Sequence, residues 1–317
     1  MKTILILALG VLVVLCCSWV ATFAEGVDAG SFLRDGVGAR AFGLGGAFVA
    51  VADDVSAPFW NPAGVAGLTG IHAGGMYTNR FGQDILFQSL GATMTFPGLG
   101  GGVSMARSSI EGIPFYGEHE GESFADTQTV WLASLGCDLG YLVPRLQSDS
   151  RSAFWIGGNL KTYTHDVLGG SGTGIGLDLG VLVHLSFPWG EVSVGLVGQD
   201  VGGTTVRWTG TPHNPTNEVP WINKVGASFT LLGGALRLNG QGDVAVGRSK
   251  LNRAHLGAEV WPIPEIGARA GAAVSADGTW EFGYGGSVVW QGLTLDYSYV
   301  PHSVLGGSHI LSAQFNF

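Results

Sequence analysis

Charge is scarce in this sequence. Asp, Glu, Lys and Arg make up 12% of its 317 residues, about half the usual share. Basic residues number 15 against 24 acidic ones, a net charge of −9, and that balance argues against nucleic acid as a partner. Cysteine is nearly absent. Cys16 and Cys17 fall in an N-terminal apolar run, and Cys137 alone makes neither an internal disulfide nor a zinc site, so it reads as a small apolar wall residue. Beyond that first run, no segment approaches the eighteen or so uninterrupted apolar residues of a spanning helix. Catalytic signatures are missing too: there is no Gly-x-Ser-x-Gly elbow, no P-loop and no His-Glu-x-x-His. Gly170-Ser171-Gly172-Thr173-Gly174 lacks the following Lys-Ser/Thr of a phosphate loop and reads as an external loop. The eight histidines are scattered without ligand spacing; His165, His184 and His255 are expected in an interior. No enzyme activity, cofactor or metal is expected.

What the chain has in quantity is glycine, 54 residues, and alternation. Lys2, the apolar run Ile4 to Leu15 and Thr22-Phe23-Ala24 have the form of a secretory signal cleaved after Ala24, so residues 1–24 are expected to be removed. From Ile71 onward apolar residues recur at every second position. Ile175, Leu177, Leu179, Val181, Val183, Leu185 and Phe187 share one face, with Asp178 and His184 on the other. Leu236 to Val246 sets Arg237, Asn239, Gln241 and Asp243 opposite its apolar face. Such a period suits a barrel with lipid outside and a polar lumen inside, and it equally suits a soluble sandwich.

The connectors separate these two. Fourteen candidate strands lie at 71–79, 84–96, 99–109, 127–142, 151–165, 172–187, 190–201, 221–231, 234–247, 253–261, 265–276, 279–290, 292–300 and 308–317. Every second connector is short, as at Pro97-Gly98, Pro188-Trp189, Leu232-Gly233 and Gln291. The other set holds the long ones, Ile110 to Asp126, Gly202 to Pro220 and Pro301 to Gly307. Sorting by parity fits an up-and-down barrel with tight turns at one end and loops at the other. The last stretch, Ser312 to Phe317, alternates and stops on an aromatic residue. Phe187, Trp189, Trp221, Trp261, Trp290 and Tyr299 suit interfacial girdles. The expected fold is therefore all-β, a transmembrane antiparallel barrel of about 14 strands over residues 71–317, with lipid of the bacterial outer membrane as its surroundings.

Residues 25–70 differ. The stretch Phe32-Leu33-Arg34-Asp35-Gly36-Val37-Gly38-Ala39-Arg40-Ala41-Phe42-Gly43-Leu44-Gly45-Gly46-Ala47-Phe48-Val49-Ala50-Val51-Ala52-Asp53-Asp54 runs into Ala57-Pro58-Phe59-Trp60-Asn61-Pro62-Ala63-Gly64. It closely resembles the N-terminal signature of the PorV/PorQ family, relatives of the FadL-type fatty-acid transporters. The match covers some thirty residues; elsewhere only the strand pattern and the terminal Phe agree. The resemblance implies a fourteen-stranded barrel whose N-terminal segment folds into the lumen as a plug. It also implies passive passage of a hydrophobic small molecule or, after PorV itself, a type IX secretion component that binds exported proteins.

The residues suit such a segment. Gly43, Gly45 and Gly46 let backbone pack close to a wall, Asp53 and Asp54 can close a turn, and Asn61-Pro62 fixes the chain direction. Asp53, Asp54, Trp60, Asn61 and Pro62 are the plug or gate candidates, and the aspartates gain if they face Arg237 or Arg269. Lumen-facing candidates are Asp178, Arg237, Asp243, Glu259, Arg269, Glu281 and Asp296, with Asp138, Lys161 and Lys224 beside them. Their mixed signs suggest charged hydrogen bonds holding the plug. The acidic stretch Glu111 to Asp126, with Phe115, Tyr116 and Phe124, reads as a solvated loop or as a site for a divalent ion or partner protein. Gly202 to Pro220 reads as a lid or docking surface.

Overall fold

The computed structural model describes residues 30–34, 36–115, 121–143, 152–246 and 252–317. The expected signal at 1–24 lies outside them. Sixteen strands form one sheet: β1 Ile71–Arg80, β2 Ile85–Phe96, β3 Leu99–Pro114, β4 Ser123–Asp138, β5 Ala153–Val167, β6 Gly170–Phe187, β7 Gly190–Gln199, β8 Thr204–Thr209, β9 Thr216–Val219, β10 Ile222–Leu231, β11 Leu236–Ala245, β12 Arg253–Ile263, β13 Ile266–Ser275, β14 Trp280–Trp290, β15 Leu293–Val300 and β16 Ser308–Asn316. Every pairing is antiparallel. The order runs from β5 back through β1 to β16 and on through β10 and β7 to β6, and β5 pairs with β6 to close the ring. The result is a closed 14-strand antiparallel β-barrel. Closure pairs the last two free edges of the fourteen wall strands, β5 and β6, the condition a sheet must meet to sit in lipid.

The strands β8 and β9 correct the expectation of a long loop. They pair with each other and continue β7 and β10 beyond a break. From Leu179↔Gly198 to Thr173↔Arg207 the β6 side advances six residues and its partner nine. The surplus is a bulge at Asp200 (φ 52), Gly202 and Gly203 (φ 85 and 80), a left-handed stretch that re-aims the strand. Three other readings change. Gly170 to Gly174 lies in β6, paired with β5 throughout, rather than in a loop. Residues 110–114 and 123–126 of the acidic stretch are strand, while 116–120 fall outside the described residues. Residues 139–142 leave the sheet as a helical turn, α1 (Leu139–Leu142), because the Asp138 carboxylate accepts from the N–H groups of Gly140 and Tyr141.

The exterior is apolar. Leu90, Val103, Leu135, Leu160, Leu256 and Leu311 each leave more than half of their surface exposed on the outer wall. At the short-turn end Trp189, Trp290, Phe315 and Phe317 project outward, with Phe187 and Trp189 stacked at 5.1 Å. Trp261 does not join this girdle: its ring covers lumen-facing Gly267. Towards the other end the belt stops at Trp131 and Ile175. Two residues further, the cross-strand row Arg107, Thr129, Thr164, Thr173, Arg207 is polar. Beside that row the inner face is apolar, with Tyr163, Val206 and Trp208 buried. Apolar outside then polar outside, on one continuous wall, marks where lipid ends.

Residues 30–70 lie inside the barrel, built from α2 (Ala39–Gly43), α3 (Ala57–Trp60) and 3₁₀ turns at Ser31–Leu33 and Pro62–Gly67. They supply most of the core, including Trp60, Phe48, Leu44 and Val65, all at most 1% exposed. The wall meets them with glycine. A Cβ at Gly283 would lie 2.0 Å from the Phe42 carbonyl oxygen; at Gly271, 2.1 Å from Leu44; at Gly195, 2.3 Å from the Val49 carbonyl oxygen; at Gly180, 2.2 Å from Asn61. Gly271→Ala should therefore lower barrel stability by about 1–3 kcal/mol, measured as a denaturant midpoint in micelles. Gly101→Ala, whose Cβ would meet nothing closer than 3.7 Å, should leave the midpoint unchanged.

Candidate functional site: the inner segment and its cavities

Local sequence explains the segment's shape. Pro58 sits in the first turn of α3, and Pro62 opens the next turn, where a missing N–H costs nothing. Asn61 is wholly buried and fully used. Its side-chain oxygen accepts from the Ala63 N–H at 3.1 Å, and its amide donates to the carbonyls of Val49 and of Val181 on β6. Trp60 donates Nε1–H to the Val37 carbonyl at 2.8 Å and packs edge-on to Phe48. Asp54 Oδ1 accepts from the N–H and hydroxyl of Ser56 at 2.8 and 2.6 Å.

The charges pair across the segment–wall boundary. Arg40 on α2 holds Glu259 of β12 through Nε and Nη2 at 2.9 and 2.8 Å, and Asp53 through Nη1 at 2.6 Å. Asp53 in turn accepts from Arg237 of β11 at 2.8 Å. Arg269 lies 3.4 Å from Glu259, bonds Asp296 at 3.0 Å and also donates to Ser287. Burial pushes the Asp54 carboxyl up to about 6, with Arg40 opposing and the like charge of Asp53 adding. Burial also works against ionisation of Asp53, but Arg40 and Arg237 outweigh it and hold that carboxyl well below the usual carboxylate range.

A second cluster sits beside the β7 bulge. Lys161 Nζ is 2.7 Å from both Asp178 and Asp200. Asp200 also accepts from Tyr163 and Thr204, and Asn159 donates to Asp178 and to the Pro58 carbonyl. A third joins Lys224, Asp243 and Gln241, whose amide oxygen accepts from the N–H groups of Phe48 and Val49. Glu281 pairs with Arg253 near the long-loop end. Asp138 is used as a helix cap. His255 bonds the Gly45 carbonyl at 2.7 Å and lies 3.4 Å from Asp243. Among the described residues no cluster of His, Cys, Asp or Glu has the arrangement of a metal site.

Three charged partners carried no early signal: Arg40, Asp200 and Arg253. Arg40 could have been found: it is the only charge between Asp35 and Asp53 in a stretch of Gly, Ala, Val, Leu and Phe. Asp200 could not, since its role depends on a bulge.

Among the described residues, cavities flank the segment at three places. The largest of these three, about 170 Å³, opens at the long-loop end and is lined by Phe42, Phe81, Val300, Pro301 and Ile310, with Arg80, Arg253, His255 and Glu281 among them. One of about 40 Å³ lies by Leu33, Lys161, Tyr163 and Gln199. A third, about 20 Å³, lies between Val37–Arg40 and strands β1, β2 and β16.

No protein-family model matches the chain, and no curated protein matches it by sequence. Solved structures do match its fold. It is similar to the CymD monoaromatic hydrocarbon channel, with a TM-score of 0.61 and 13% identity over 89% of this chain and 98% of that one. It is also similar to the Pseudomonas putida toluene transporter TodX, with a TM-score of 0.57 and 12% identity over 93% of this chain and 99% of that one. The fold and the lipid-facing exterior make this an outer-membrane β-barrel protein.

Two outcomes test the network. Arg40→Ala leaves Glu259 buried and short of its bidentate partner, and should cost about 3–5 kcal/mol; Arg40→Ala with Glu259→Gln should recover part of it in the same denaturant titration. Asp54 ionises less readily folded than unfolded, from an ordinary 3.8 to about 6. The folded state binds the extra proton, so its contribution to stability falls as pH rises from about 4 to about 6. Asp54→Asn should remove that slope from the pH dependence of the midpoint.

Proposed function

We propose that this chain is a passive outer-membrane channel for small hydrophobic molecules, with residues 25–70 as its plug. The observation that carries the reading is the half-apolar cavity of about 170 Å³ at the long-loop end, floored by Phe42, Gly45 and Gly46 of the inner segment. A cavity of about 150 Å³ with apolar walls accommodates benzene. The mixed-sign, hydrogen-bonded lumen differs from the wide polar bore of a general porin, which favours a plugged channel. The fold likeness to the CymD monoaromatic hydrocarbon channel and the toluene transporter TodX points the same way. We assign the chain to the PorV/PorQ group on the Phe32 to Gly64 signature. In this reading Asp53, Asp54, Trp60, Asn61 and Pro62 keep the plug seated. The type IX secretion role rests on the sequence resemblance alone.

The test is uptake of radiolabelled toluene by intact cells whose lipopolysaccharide-bearing outer membrane slows hydrocarbons. Cells expressing the chain should take up toluene faster than vector controls, with no gain for a trisaccharide. Equal rates would overturn the reading. Recovery of an exported protein on the purified barrel, with no toluene effect, would favour secretion.

A further inference from the structure

The large cavity and the small one share a wall. On β1 and β16, Thr78 is paired with Ile310 and Met76 with Ser312. The Thr78–Ile310 layer lines the large cavity. The Met76–Ser312 layer, the next inward-facing pair, lines the small one, about 7 Å further along the strands. These layers, with the turn at Gly38 and Ala39 that bonds Met76 and Ser312, lie between the linings of the two spaces. Below Met76 the small cavity continues past Gly74 and Gly91 to Gln314, towards the short-turn end.

The segment–wall contact differs here from elsewhere. Around β5, β7, β13 and β14 the inner backbone rests on wall glycines so closely that not even a Cβ fits. Along β1 and β16 side chains make the contact instead. Met76 Sδ accepts from the Gly38 N–H at 3.1 Å, and Ser312 Oγ accepts from the Ala39 N–H at 2.8 Å. Side chains can turn aside where backbone cannot. Ile310 is β-branched and stiff, whereas methionine has three rotatable side-chain bonds and a soft sulfur. Met76 is buried, 5% exposed, and the bond that holds it is a weak one to sulfur.

We propose that the hydrophobic molecule passes between the inner segment and the β1/β16 wall, and that Met76 is the gate between the outer cavity and the inner one. Swinging the thioether aside joins the two spaces without displacing Arg40, Asn61 or any glycine contact. The segment then stays seated during passage. This rests on the channel reading above.

The test places a block after folding, so that misfolding cannot mimic closure. Met76→Cys and, separately, Leu33→Cys are made in a Cys137→Ser background, and cells are treated with benzyl methanethiosulfonate before toluene uptake is measured. Leu33 lines the cavity on the opposite flank, beside Lys161 and Tyr163. Modification at position 76 should cut uptake about tenfold, a 1.4 kcal/mol barrier, and modification at 33 should leave it within twofold. Reduction with dithiothreitol should restore the rate. Unmodified Met76→Ala should run faster than the parent. Blocking at 33 but not at 76 would overturn the route and leave the channel intact. Parent protein that fails to raise uptake at all would overturn the channel reading, and this route with it.

Discussion

Inside a closed barrel the backbone of a non-sheet segment has no ladder to join. Every wall strand spends its N–H and C=O groups on its two neighbours, so residues 30–70 must find partners among themselves or among wall side chains. Both solutions occur. Short turns satisfy some groups within the segment, as from Phe42 to Gly38 and from Asn61 to Ala57. Wall residues satisfy others: Gln241 takes two N–H groups, Ser312 one and Gln314 one. Where the wall offers no such side chain it offers glycine, and the segment's backbone presses against the sheet. The abundance of glycine and the scarcity of charge answer the same geometric demand.

Few charges also means that each one has work to do. Arg40, Asp53, Arg237, Glu259, Arg269 and Asp296 form one chain of contacts from the segment to β15. Buried ion pairs are weak as sources of stability, but breaking one is costly. The network therefore fixes which way the segment sits more than how tightly.

The wall was legible in the sequence because its period is two and its connectors sort by length. Ile175 to Phe187 announces a strand with no help from context. The exceptions have local causes. Leu139 to Leu142 carries strand-like apolar residues, but Asp138 can cap a helical turn, and that competition is decided by two backbone N–H groups. Gly202 to Pro220 has the glycines and prolines of a loop, yet its two halves pair because the longer wall on that flank gives them a neighbour in β6. Trp261 looked like a girdle residue by type and position, and parity sent its ring inward over Gly267. The inner segment was legible as a distinct stretch but not as a shape. Its turns follow from Asn61, Pro62 and the glycines, while its path round the lumen is set by wall positions more than a hundred residues away, such as Val181 and Gln241.

The inner segment touches β6, β7, β11, β12 and β14 through β16. Those strands all follow it in the chain, β16 by more than two hundred residues. The segment therefore cannot complete its contacts until strands as distant in sequence as β16 are in place. The seating of Arg40 against Glu259 thus requires a wall already built as far as β12.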